Sequence, residues 1–209
     1  MQSPSHSHLT HAVRRLLLAL PLALILAGAP SLSAAQSNTT SGGDILFASV
    51  PWGADERTVI RLIEAAGYKY RQKDADGDLE FSGRVMDHST KIFAFMSRVN
   101  GRVTSIQVNI GTPDEKARDT FQRIRDSLIE KYGSPSDDYA FFQRPYFEGD
   151  GYELQAIRLG KGHFASFWKS AQSSLMIRIT EKLAVRILYE GPQANREIKR
   201  RNAEDLKAF

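Results

Sequence analysis

Cysteine is absent from this 209-residue chain. That excludes disulfides, a thiolate nucleophile, a thiolate metal site and a lipid-anchor cysteine, so the fold must rest on its core alone. Histidine is scarce. Of five, only His88 and His163 lie beyond residue 35, and neither has a second imidazole at zinc-ligand spacing. No Gly-x-Ser-x-Gly elbow is present, which removes the clearest serine-hydrolase sign. Gly160-Lys161-Gly162 lacks the spacing of a phosphate loop and reads as a hairpin turn. Asp74-Ala75-Asp76-Gly77-Asp78 is acidic enough for calcium, but its glycine stands too early and no glutamate closes the loop. Asp-Gly between alternating runs is what a tight hairpin demands, and Glu148-Gly149-Asp150-Gly151 reads as a loop for the same reason. No metal and no cofactor is expected.

Long apolar runs are also lacking, with one exception. Arg14 and Arg15 precede Leu16 to Gly28, and Ser33-Ala34-Ala35 follows with small residues. This is the pattern of a cleaved secretory signal over residues 1–35, leaving Gln36 as the mature N-terminus. The run is shorter than the roughly 20 residues a membrane span needs, and Pro21 interrupts it. The expected location is periplasmic or secreted in a bacterial host, with no transmembrane segment after cleavage. Loss of Arg14 and Arg15 takes the formal net charge from +4 to +2. A pI near 9.3 therefore does not argue for nucleic acid, which needs a clustered patch.

Residues 36–43 are small and polar and read as a disordered leader. Ile45 to Ala48 reads as a short strand. Asp55 caps a helix whose apolar face is Val59, Leu62, Ile63 and Ala66, closed by Gly67. Strands follow: Tyr68 to Lys73, an Asp76-Gly77 turn, Leu79/Phe81/Val85 alternating, Lys91 to Val99, an Asn100-Gly101 hairpin, then Thr104/Ile106/Val108/Ile110. Thr112, Pro113 and Glu115 form a capping box for a second helix with the stripe Ala117, Phe121, Ile124, Leu128, Tyr132. Strands recur at Tyr139 to Gln143, Tyr152 to Leu159, His163 to Lys169, Leu175/Ile177/Ile179 and Leu183/Val185/Ile187/Tyr189. Asn195 to Phe209 closes as a charged helix held down by Ile198, Leu206 and Phe209.

This order predicts an α+β protein of tandem α-β4 repeats, residues 44–111 and 112–193, with a C-terminal helix over 194–209. Helices pack on one face of an antiparallel meander sheet. Shared local text supports the repeat: Ala66-Gly67-Tyr68 with Gln72, against Tyr132-Gly133 with Tyr139 and Gln143.

Val50-Pro51-Trp52-Gly53-Ala54 to Gly67-Tyr68 resembles the Gly-then-helix opening of BamE/SmpA-like envelope proteins, as does Ile124 to Pro135. Tandem copies of such a unit resemble the β-lactamase inhibitor protein, and a duplicated α/β meander also resembles the TATA-binding-protein-like fold. The chain departs from the BamE pattern in having no anchor cysteine and one helix per unit. The resemblance implies an exported protein that binds other proteins, with no catalytic residues to carry over.

Two clusters stand out. Tyr139, Phe141, Phe142, Tyr146, Phe147 and Tyr152 crowd one Gly/Pro-rich segment and are the candidate binding residues. Arg196, Lys199, Arg200 and Arg201 form a basic cluster that either meets an anionic surface or is a solvated helix face. The leading expectation is a non-enzymatic module that binds an envelope or extracellular protein. The alternatives are a small secreted hydrolase with dispersed site residues, and a carrier of a small apolar ligand.

Overall fold

A computed structural model describes residues 43–205; the expected signal segment 1–35 and all but the last residue of the leader lie outside it. Helix α1 is Glu56–Ala65, started by Asp55, whose carboxylate accepts the Thr58 N–H at 2.9 Å. It buries Val59 and Ile63, while Ala66 is an exposed C-cap rather than part of the apolar face. Strands β1 (Lys69–Lys73), β2 (Leu79–Val85), β3 (His88–Met96) and β4 (Val103–Ile110) follow. Gly101, at φ +62°, takes the left-handed turn that Asn-Gly predicts.

Helix α2 is Ala117–Tyr132 and buries Ala117, Phe121, Ile124 and Leu128 as its spacing requires. The expected capping box does not form. A 3₁₀ turn, Asp114–Lys116, leads into the helix without a side-chain cap. The Thr112 hydroxyl instead donates to the Leu183 carbonyl at 2.8 Å.

Strand β5 (Asp137–Phe142) and then β6 (Gly162–Lys169), β7 (Ser174–Ile179) and β8 (Val185–Glu190) complete an eight-stranded antiparallel sheet in the order β1-β2-β3-β4-β8-β7-β6-β5. Two expected strands are absent. Residues 153–158 form a short helix α3 (Glu153–Arg158), with Ala156 and Ile157 buried. Gly162 lets it approach, since a Cβ there would sit 2.8 Å from Ile157 Cγ1. Ile45 to Ala48 is not a strand; Ile45 plugs the core, its N–H donating to Ser173 Oγ at 2.8 Å.

One face of the sheet presents Leu79, Phe81, Ile92, Ala94, Ile106, Val108, Leu175, Ile177, Val185 and Ile187 to α1 and α2, and together these form the core. The final helix, α4 (Ala194–Asp205), does not join them. It lies on the opposite face, where a cleft of about 250 Å³ separates it from Phe95, Gln107 and Leu188. Among the described residues no helix is long and apolar enough to cross a membrane.

Candidate functional site

The sheet face away from α1 and α2 is the candidate site, because α4 covers only one end of it. In antiparallel pairing, directly opposed residues share a face. The registers therefore lay out rows across the sheet. One row runs Glu80, Phe93, Gln107, Leu188, Met176, Phe167, Asp137. It is acidic at both ends and apolar between them except at Gln107. The adjacent row runs Ser82, Lys91, Asn109, Arg186, Arg178, Ala165, Tyr139, and is cationic in its middle. The side chains of Phe93, Leu188, Met176 and Phe167 are half-buried, and Leu188 also lines the cleft beneath α4.

Arg178 and Arg186 stand directly opposite each other on β7 and β8. Like charges in that position destabilise a sheet. Arg186 Nε donates to Asn109 Oδ1 at 3.1 Å. Arg178 holds both carboxylate oxygens of Glu181, at 2.8 and 2.9 Å, while its buried Nε has no hydrogen-bond partner. Glu181 lies below the usual carboxylate range. Its own backbone N–H is the largest cause; Arg178 and Arg186 reinforce it against the opposing effect of burial.

The six predicted aromatics do not form one surface. Tyr139 and Phe141, each 46% exposed, lie on this face of β5. Tyr139 meets the Phe167 ring edge-on at 5.9 Å, and Phe141 stacks on His163 at 4.9 Å. Phe142 points through the sheet to Phe164 on the helix side. Tyr146, Phe147 and Tyr152 sit beyond β5 in the loop leading to α3; Phe147 and Tyr152 are exposed, and the half-buried Tyr146 accepts from Gln155 at its hydroxyl.

The basic cluster also divides. Arg196 and Lys199 are exposed, but Arg200 and Arg201 hold α4 in place. Arg201 grips the buried Asp78 carboxylate at 2.7 and 2.8 Å and reaches Glu197 at 3.3 Å. Arg200 binds Glu197 at 2.6 Å, and the Arg98 N–H donates to Glu197 at 3.0 Å. Burial would raise the Glu197 pKa, but donors from Arg200, the Arg98 backbone, Arg201 and Ser97 outweigh it and hold the group down to about 2. Among the described residues charge fixes this helix: Ile198, expected to hold it down, is 44% exposed, and Leu206 and Phe209 lie outside the described residues. Asp78 was read only as part of a turn; its pairing partner lies 123 residues away, beyond the reach of any local pattern.

Ser166 and Asp138 are in contact, but as an anchor. The Ser166 hydroxyl donates to Asp138 at 2.6 Å, and Arg125 on α2 donates to Ser166 at 3.1 Å and also to Asp138. The Arg125 hydrogen bond is the main reason the Asp138 carboxyl lies below its ordinary range. His88 and His163 are on different strands, and among the described residues no three His, Asp or Glu side chains converge as a metal site would require. No protein family, curated protein or solved structure was found to match the chain.

Proposed function

We propose that this is an exported, non-enzymatic protein-binding module of the bacterial cell envelope, which holds a partner on the uncovered sheet face. One observation carries the reading. Leu188, Met176 and Phe167 form an apolar row that α4 covers only at its Leu188 end, beside the opposed Arg178 and Arg186, two cations that share the single carboxylate of Glu181. A partner offering apolar side chains and a carboxylate would cover the first and neutralise the second. The apolar segment at residues 16–28 supports export. Intact-mass measurement of the secreted protein tests that part: a chain beginning at Gln36 is expected, and one retaining residues 1–35 rejects it.

We further read the fold as two α-β4 units. The strand order supports this: α1 precedes β1–β4, α2 precedes β5–β8, and β4 pairs β8 at the centre. Helix α3 would then be an insertion in the second unit.

The binding reading is tested in the native host. A photo-crosslinking residue is placed at Met176, on the open face, or at Arg57, on α1. A single discrete protein adduct from Met176 alone, lost on Arg178→Glu plus Arg186→Glu, supports the reading. Adducts from Arg57 alone, or equally from both, overturn it.

A further inference from the structure

The outer edge of β5 has an outward-facing hydrogen-bonding surface that nothing described above uses. Gln143 N–H donates to the Lys161 carbonyl at 2.7 Å. That fixes the ladder: the main-chain groups of Tyr139 and Phe141 turn inward to β6, and those of Asp138, Ala140 and Phe142 turn outward. β5 is the last strand of the sheet, and its pairing runs without a bulge from Asp137 to Phe142. After the charged Asp137 and Asp138 it carries no charge, and it has no lysine or proline to blunt the edge.

We propose that this edge pairs with the same edge of a second copy, antiparallel about a two-fold axis through Ala140. The register follows from the residues. Outward groups must face outward groups, so Asp138 opposes Phe142 of the other copy and Ala140 opposes Ala140. About six main-chain hydrogen bonds form. Tyr139 then faces Phe141 of the other copy on the open face, a cross-strand aromatic pair made twice by symmetry. The charges agree. Asp137, whose nearest cation is Lys169 at 3.8 Å, runs alongside the end of the other strand, where Arg144 follows; Asp138 stays with Arg125. A parallel arrangement would instead set the aspartates against each other. The inference goes beyond the face-binding reading and does not depend on it.

Sedimentation of the full chain, as purified from an expressing host, is the test. Wild type is expected to shift from monomer towards twice the monomer mass as concentration rises through the micromolar range. Ala140→Pro removes an N–H that no internal bond uses, so it should keep the circular dichroism of the fold and sediment as monomer. Tyr139→Asp sets a carboxylate against the negative face of the facing aromatic and should weaken association at least tenfold; it decides the matter alone should the proline variant fail to fold. A wild type that stays monomeric throughout overturns the proposal. So does a dimer that persists in the folded variants.

Discussion

The two edges of the sheet are built differently. At β1 the strand is short, carries Lys69, Arg71 and Lys73, and breaks register between Tyr70 and Gln72. The Tyr70 N–H donates to Glu64 of α1 at 3.4 Å, and Lys73 is tied to Glu56 at 2.7 Å. At β5 the strand is regular and aromatic, and its outward main-chain groups at Asp138, Ala140 and Phe142 meet no other described element. A protein that protects one edge this fully has the means to protect both. The difference is what sets the proposed pairing at the β5 end, beside the open face, and not at the β1 end.

Mutations should divide along that line. The largest effect is expected at the closed end: Phe81, fully buried on β2, should cost about 4 kcal/mol as Phe81→Ala in urea unfolding. Next is Arg201→Ala, which leaves Asp78 buried without its guanidinium and should cost about 3 kcal/mol. Acid should act on the same lock. Because the folded state holds Glu197 down to about 2, its contribution is present above the unfolded glutamate value and is lost as pH falls towards 2. The loss is on the order of 3 kcal/mol. Thermal midpoints measured from pH 5 to pH 2 should therefore drop less in Glu197→Gln than in wild type, from a lower start. The smallest effect is expected at the open end, where Phe141→Ala should change unfolding by no more than about 0.5 kcal/mol. If Phe141→Ala proved as costly as Phe81→Ala, β5 would be a core strand and the contrast between the edges would fail.

The sequence made the first half of the fold legible because its signals are local. Asp55 as a cap, Asp76-Gly77 and Asn100-Gly101 as hairpin turns, and period-two alternation in β2 and β4 each act within a few residues, while β3, expected over Lys91 to Val99, runs three residues earlier as His88–Met96. The failures came where a short segment satisfied two patterns or where distant chain decided. Tyr152 to Leu159 is too short for periodicity to separate strand from helix, and packing of Ala156 and Ile157 under β6 selects helix. Thr112 fits a capping box, yet the Leu183 carbonyl, 71 residues on, takes its hydroxyl. For the candidate site, aromatic density marked out β5 but could not sort faces; alternation along β5 sends Phe141 to the open side and Phe142 to the helices. The row of Leu188, Met176 and Phe167 has no local signature, because only the strand order makes these residues neighbours.

Residue-resolved amide exchange, followed as protein concentration is raised, probes the asymmetry of the edges most directly. The amides of Asp138, Ala140 and Phe142 should gain protection with concentration, while those of Arg71 and Lys73 on β1 stay as they were. Protection that is independent of concentration at β5, or that rises at β1 instead, contradicts the assignment of β5 as the docking edge.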